Sequence, residues 1–248
     1  MSKRAVLLLS SFFAFIPAAS QANVTFSGSS GSLAASVSFD LIGGALQVIL
    51  TNTSGTAAAV PADVLTAVYF NITGNPALSR TSAISNGSTY DGTTLVSAPG
   101  TTVGGEWAYL NNLSAYGANS GISSSGLGIF GPTDLFPGRN LAGPVDPDGL
   151  QYGLTSANGP HTTGNPLVTG TPLTNHGVTF LLGVPTGFSL ASISNITFQY
   201  GTNSSEPSFG GGGGSNGGGG GNGVPEPETV ALLGAGLSLL ALARRRRR

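Results

Sequence analysis

The chain has no cysteine, very little charge and few of the residues that usually carry chemistry. Without thiols it cannot use a cysteine nucleophile, a disulfide or a cysteine-based zinc site. Only 8% of its 248 residues are charged, against about 25% in an average soluble protein. It contains one tryptophan and two histidines. Because reactive side chains are so scarce, we expect no enzymatic activity and no cofactor.

Positive charge is almost absent between the two ends of the chain. Only Arg80 and Arg139 are basic within residues 23–209. Against these two arginines stand eight acidic residues, which gives this stretch a net charge of −6; they are Asp40, Asp63, Asp91, Glu106, Asp134, Asp146, Asp148 and Glu206. A basic surface that could neutralise phosphates is missing, so we expect no nucleic-acid partner.

The first 22 residues have the three parts of a secretory signal peptide. A basic pair at positions 3 and 4 precedes an apolar run over residues 5–16, and small residues follow as far as Ala22. Such a sequence directs export and is removed by signal peptidase. The alternative, a membrane-spanning helix, is disfavoured because a run of twelve residues is too short to cross about 30 Å of hydrocarbon. We predict cleavage between Ala22 and Asn23.

The C-terminal end, residues 224–248, has a second three-part pattern. A proline-rich triplet precedes a 14-residue apolar stretch at residues 230–243, which predicts a short transmembrane helix. Five arginines then close the chain, and such a basic cluster resists translocation and stays in the cytoplasm. The triplet is Pro225, Glu226 and Pro227, and the cluster is Arg244, Arg245, Arg246, Arg247 and Arg248.

This order of triplet, apolar helix and arginine cluster resembles the PEP-CTERM sorting signal. The resemblance implies recognition by an exosortase, a membrane-embedded protease-transpeptidase, in a Gram-negative host that makes extracellular polysaccharide. The expected partners are therefore the export machinery, signal peptidase, exosortase, the inner membrane transiently, and exopolysaccharide. The expected location is the membrane during sorting and then the cell surface or the exterior. An unprocessed tail anchor is the alternative; the Leu-Pro-x-Thr-Gly motif of sortase substrates is absent.

A glycine-rich segment precedes the tail. Residues 210–223 contain 11 glycines in 14 positions. Glycine has no side chain to bury and the greatest backbone freedom of any residue. The composition therefore predicts a flexible linker over 210–223 that separates a folded domain at 23–209 from the sorting tail.

Alternating apolar residues predict strands across most of the region between the ends. Apolar side chains occupy every second position from residue 33 to residue 41, which is typical of a half-buried strand. Gly43-Gly44 predicts a tight hairpin turn into a second alternating strand at 46–50. Residues 64–72 are mostly apolar, as expected of a central strand covered on both faces. Further strands are predicted at residues 23–27, 106–111, 178–184 and 189–200.

The remaining stretch, residues 112–176, is rich in Gly, Pro, Asn and Ser, which predicts long loops with short strands. Helical periodicity is scarce. The fold class expected is therefore all-β: a single β-sandwich, of which a jelly roll is one form, with long Gly/Pro-rich loops. A signal peptide and a C-terminal hydrophobic helix flank it. A fibrous repeat array is the alternative, which the lack of a fixed period disfavours.

Two pairs of residues are weak candidates for ligand binding. Trp107 and Tyr109 lie two apart on a predicted strand and share one face. They could stack on a sugar if exposed, whereas burial makes them core residues, and we favour the core. Asp146 and Asp148 could offer carboxylates to Ca²⁺, but the further ligands of a calcium loop are missing. A proline-led turn is the favoured interpretation, and no metal is expected.

Signatures of catalysis are weak. His161 and His176 both lie in loop-like sequence, and neither Gly-x-Ser-x-Gly nor His-Glu-x-x-His is present. Residues 126–131 match the glycine spacing of a dinucleotide-binding loop, but Pro132 follows where that motif needs a helix. The sequence favours a non-catalytic surface or extracellular-matrix protein. A carbohydrate-binding module is the alternative, and a secreted hydrolase ranks third.

Overall fold

The computed structural model of the chain describes residues 23–132, 138–143, 147 and 149–216. The predicted signal peptide and sorting tail, with its helix at 230–243, fall outside this part of the chain. The described residues form one short α-helix, α1 (Pro166–Thr169), and three single-turn 3-10 helices at Pro61–Asp63, Ala115–Gly117 and Leu190–Ser192. The strands are β1 Val24–Ser30, β2 Leu33–Ile42, β3 Ala45–Asn52, β4 Leu65–Ile72, β5 Ser79–Ser85, β6 Thr89–Asp91, β7 Thr94–Ser97, β8 Ala108–Asn111, β9 Ser120–Ser123, β10 Leu154–Thr155, β11 Pro172–Asn175, β12 Gly177–Gly183, β13 Ile193–Tyr200 and β14 Ser208–Asn216.

These strands form one continuous sheet. Its order is β5-β12-β3-β2-β1-β14-β13-β4-β10-β11-β6-β7, and β9 joins β8 to one edge of β4. Neighbouring strands run antiparallel except β10 and β11, which are parallel. No helix within the described ranges is long and apolar enough to cross a membrane.

The sheet curls over so that its two halves face a shared core. Phe39 on β2 packs edge-on against Phe70 on β4 with ring centroids 5.3 Å apart, although β1, β14 and β13 lie between those strands in the sheet order. Two strands so far apart in one sheet can touch only if the sheet bends back on itself. The all-β prediction is thus confirmed, with the opposed layers of the core belonging to one curled sheet.

The predicted hairpin lies at the start of the sheet. Strands β2 and β3 pair from Ile42 and Ala45 outward, and Gly43 and Gly44 between them have φ of 59° and 81°. Two consecutive positive φ angles are required by the two-residue turn that suits twisted antiparallel strands, and glycine adopts them without steric cost. Along β2 the side chains alternate between buried and partly buried as the sequence pattern predicts.

Strand β4 is covered on both faces, also as predicted. Its Val68 and Phe70 belong to the main core. The intervening Tyr69 packs on the other face in a second cluster with Leu127 and Phe130. Because successive side chains of a strand point to opposite faces, two separate apolar clusters are needed to bury nearly every residue of β4.

The prediction of a flexible linker over residues 210–223 is wrong for residues 210–216. Residues 210–216 form most of strand β14, which pairs with β1 on one edge and β13 on the other. The folded domain therefore extends past residue 209 to Asn216. The rest of the predicted linker, residues 217–223, lies beyond the described residues.

This glycine-rich strand is stabilised by backbone hydrogen bonds to the strands on both of its edges. Backbone groups pair on both edges, and such hydrogen bonds need no side chain. Phe209 anchors the strand by packing on Phe198 and Tyr200, with ring centroids 5.8 and 5.7 Å away. A Cβ on Gly211 would approach Phe198 and Ile196 to 3.1 Å, so this position has little room for any larger residue.

Candidate functional site

The two ends of the described domain lie side by side. Strand β1 begins at Val24, next to the predicted signal-peptide junction, and its Cα partner on β14 is Asn216, the last described residue. Paired residues of antiparallel strands are about 4.5–5.5 Å apart between Cα atoms. The leader junction and the start of the segment that continues into the sorting tail therefore leave the same pole of the domain.

The pairing of β1 with β14 is fixed by a bulge. The register shifts between Thr25, which faces Ser215, and Phe26, which faces Gly213. Gly213 has a φ of +113°, a backbone conformation that residues with a Cβ rarely adopt. A bulge of this kind pins the register of a strand that has almost no side-chain pattern of its own.

The end of β14 also sets the reach of the sorting tail. Eight residues separate Asn216 from Pro225, and a chain of that length spans at most about 30 Å when fully extended. The predicted linker of 14 residues would have reached farther. The sorting triplet is therefore tethered more closely to the folded domain than a flexible linker over all of residues 210–223 would allow.

Most predicted sorting residues and the candidate calcium ligands fall outside the described residues. This holds for Ala22, for the triplet Pro225, Glu226 and Pro227, for the arginine cluster 244–248, and for Asp146 and Asp148. Asn23 is described and exposed. Within the described ranges, no group of three or more His, Asp or Glu side chains is placed to hold a metal ion.

Trp107 and Tyr109 are core residues. Trp107 is 0% exposed and Tyr109 is 4% exposed. The indole packs edge-on against Phe180 with ring centroids 5.0 Å apart, and burial raises the pKa of Tyr109 above its usual value. Stacking of a sugar on this pair is therefore excluded, in agreement with the interpretation that the sequence analysis favoured.

The two histidines have structural surroundings. His161 is 2% exposed; its Nε2 lies 3.2 Å from the Thr155 hydroxyl, and Asn175 also hydrogen-bonds its ring. Burial lowers the pKa of His161, although the bond with Asn175 acts in the opposite direction. His176 is exposed and contacts the side-chain oxygen of Asn158. These ring partners are hydroxyl and amide groups rather than the carboxylate of a hydrolytic triad.

The glycine motif at residues 126–131 forms a turn. The amides of Ile129 and Phe130 both donate to the Gly126 carbonyl, at 2.9 and 2.8 Å. A Cβ on Gly126 would lie 1.4 Å from the Pro132 carbonyl oxygen, so the first glycine is required by local backbone packing. The described residues that follow, Gly131 and Pro132, form a bridge and a bend rather than the first turn of a helix, so the motif makes a turn and not the strand-to-helix junction that dinucleotide binding needs.

An open polar cleft of about 600 Å³ holds the two arginines of the domain. Arg80 comes from β5, whereas Arg139 lies on segment 138–143, which adds to the edge of β8 because the Tyr109 amide donates to the Arg139 carbonyl at 3.1 Å. Asn111 and Asn112 line the same cleft. The two arginines are 59 positions apart in the sequence, and no local pattern indicates that they meet.

Comparison with known proteins identifies the C-terminal end alone. The family model for the PEP-CTERM protein-sorting motif matches residues 223–248. No curated protein matches the chain, and no solved structure matches it. The resemblance seen in the proline triplet, apolar stretch and arginine cluster is confirmed over this segment, which is a sorting signal read by an exosortase.

Proposed function

Starting from this sorting signal, we propose that the chain is a non-catalytic surface or extracellular-matrix protein whose β-domain is displayed outside the cell after its tail is processed. The match at residues 223–248 carries the proposal because a sorting motif indicates export and membrane anchoring before display. In this proposal the signal peptide is cleaved between Ala22 and Asn23, and the cluster Arg244–Arg248 stays in the cytoplasm.

The position of the chain ends supports this route. During export both ends of the domain are attached to membrane segments, namely the leader before cleavage and the tail before sorting. A domain whose ends lie at opposite poles would need one attachment to extend along the whole domain to reach the same membrane. Here Val24 and Asn216 are partners in one strand pair, so the folded domain fits against a single membrane surface with both attachments intact.

A passive role is supported by how the polar groups of the domain are used. The ring of His161 is held by Thr155 and Asn175, and Asp63 accepts hydrogen bonds from the amides of Ala59 and Val60. Gln199 donates to the carbonyls of the turn between β13 and β14. These side chains hold loops in place. We therefore rank a secreted hydrolase, and a carbohydrate-binding module built on Trp107 and Tyr109, below a display role.

The proposal is tested by mass spectrometry of the protein recovered from the cell surface of its host. We expect the wild-type C-terminus to lie near Pro225. Replacement of the triplet by P225A/E226Q/P227A should leave a membrane-bound chain that still ends at Arg248. The matched control E228Q changes a carboxylate just outside the triplet and should be processed normally. Wild-type protein at the surface with Arg248 intact would contradict the proposal.

A further inference from the structure

The two arginines of the domain share one cleft although nothing in the sequence pairs them. Arg80 and Arg139 are 59 positions apart, and both line the polar cleft beside β8. Both side chains are exposed and carry the same charge, so solvent and salt leave only a weak repulsion between them. In a domain with so few basic residues, this clustering calls for a physical explanation.

Three carboxylates of the described residues, those of Asp40, Asp63 and Glu206, accept hydrogen bonds from backbone amides. Asp40 accepts from the Leu41 amide at 2.7 Å. Asp63 accepts from two amides of the loop that precedes β4, and Glu206 accepts from the Thr202 and Asn203 amides at 2.6 and 2.8 Å. These acids stabilise turns. Their described hydrogen bonds are made to backbone amides and not to either guanidinium group.

The cleft holds its arginines on a defined frame. One guanidinium nitrogen of Arg80 donates to the Gly138 carbonyl at 2.9 Å, which ties β5 to the segment that carries Arg139. Four of the five N–H donors of Arg80 remain for other acceptors. The Arg139 backbone is fixed by the hydrogen bond from the Tyr109 amide, while its side chain is exposed.

The remaining lining suits a ligand rich in hydroxyl groups. Asn111 and Asn112 offer amide groups, which both donate and accept hydrogen bonds. Asn112 is held in place because its side-chain oxygen accepts from Asn75 at 2.6 Å. The cleft volume of about 600 Å³ lies within the range of small-molecule sites.

We propose that this cleft binds a carboxylate-bearing sugar, with Arg80 and Arg139 holding the carboxylate and Asn111 and Asn112 contacting ring hydroxyls. Guanidinium groups match carboxylates in a planar, bidentate geometry that gives specificity as well as attraction. The site uses hydrogen bonds and charge, and it does not require the exposed aromatic stacking that the burial of Trp107 excludes. It is independent of tail processing, so it can fail without affecting the proposed sorting.

The test is isothermal titration of the full chain in detergent with a linear trimer of galacturonic acid. We expect binding that weakens with added salt, because exposed charge pairs are screened. A neutral galactose trimer should bind at least about tenfold more weakly, since the charged hydrogen bonds are then lost. Equal binding of the neutral trimer overturns carboxylate recognition, and no binding of the acidic trimer overturns the site. Inorganic phosphate binding as tightly as the acidic trimer overturns the sugar assignment.

Variants locate the site. R80Q and R139Q should each weaken binding of the acidic trimer by about tenfold or more. R139K keeps the charge but loses the planar fork, and it should also weaken binding. S30E shifts the net charge by the same amount as an Arg-to-Gln change but lies at the exposed last residue of β1, outside the cleft lining; it should bind normally. If S30E weakens binding as much as R139Q does, the effect is one of overall charge and the cleft is not the site.

Discussion

At the scale of single residues, several polar side chains of types that could act in catalysis instead form hydrogen bonds that stabilise loops. His161 is the main example, since its ring is buried and bonded to Thr155 and Asn175. Its backbone amide also donates to the Gly92 carbonyl at 2.9 Å. The histidine thereby holds the loop after β10 against the turn between β6 and β7, and its burial there lowers the pKa of the ring.

We predict that this histidine makes the domain less stable in mild acid. Burial lowers the pKa of His161 in the folded state, whereas an unfolded histidine titrates near about 6.5. Below that pH the unfolded chain takes up a proton that the folded chain resists, so the free energy of unfolding falls as the pH falls. The slope from this one group is at most about 1.4 kcal/mol per pH unit. Urea unfolding at pH 5, 6, 7 and 8 measures it.

Two variants separate this effect from general acid sensitivity. H161Q cannot take up the proton and should flatten the pH dependence below pH 7, although it lowers stability at pH 8 by weakening the contacts with Thr155 and Asn175. H176Q changes the exposed histidine and should leave the slope as in the wild type. The idea is wrong if H161Q and the wild type lose stability with the same slope.

At the scale of secondary structure elements, β14 is the strand that the sequence gives least reason to expect. Its glycine run supplies no alternation, yet it lies between β1 and β13 and joins the two halves of the curled sheet. Only some of its glycines are required by the structure. Gly213 has a φ of +113°, whereas Gly212 is not among the glycines with positive φ, and a Cβ on Gly212 would meet nothing within 4 Å.

This contrast predicts opposite effects of two neighbouring substitutions. G213A forces a Cβ into a strained backbone conformation at the bulge and should lower the free energy of unfolding by about 1–3 kcal/mol. G212A reduces the freedom of the unfolded chain without strain and should be neutral or stabilising by up to about 1 kcal/mol. Thermal and urea unfolding of both variants measure the difference. A flexible linker at these positions would show no difference between them.

The elements that the sequence predicts correctly share a local signal. Strand β2 has an uninterrupted alternation, the Gly43-Gly44 turn has residues suited to positive φ, and β4 has a nearly continuous apolar run. Each of these patterns is imposed by burial of the strand itself or by its own turn. Strand β14 has no such pattern. It forms because its backbone hydrogen-bonds to β13 and to β1, and β1 lies at the other end of the domain sequence.

At the scale of the whole molecule, pairing of the first and last described strands brings the two chain ends to one pole. The pairing can be tested with engineered disulfides, since the native chain has no cysteine to interfere. Ser27 and Gly212 are Cα partners across β1 and β14. We predict that S27C/G212C forms a disulfide on mild oxidation and raises the thermal stability of the domain.

The matched control moves one cysteine along the same strand. Ser29 is two residues from Ser27, so its Cα is about 8 Å from that of Gly212, which exceeds the distance that a disulfide can bridge. S29C/G212C should therefore keep its thiols under the same oxidation, as thiol titration would show. Equal cross-linking of both pairs would indicate a mobile glycine segment and would contradict the pairing.

The sequence by itself determined the sorting signal, the all-β class, the first hairpin and the double-sided burial of β4, because each depends on residues close together in the chain. Only the tertiary structure decided that the glycine segment is a strand, that Trp107 is fully buried, that Arg80 and Arg139 share a cleft, and that Val24 lies beside Asn216. These features depend on contacts between distant residues. A single sequence contains no local pattern from which such contacts can be read, since the packing of the entire curled sheet sets them.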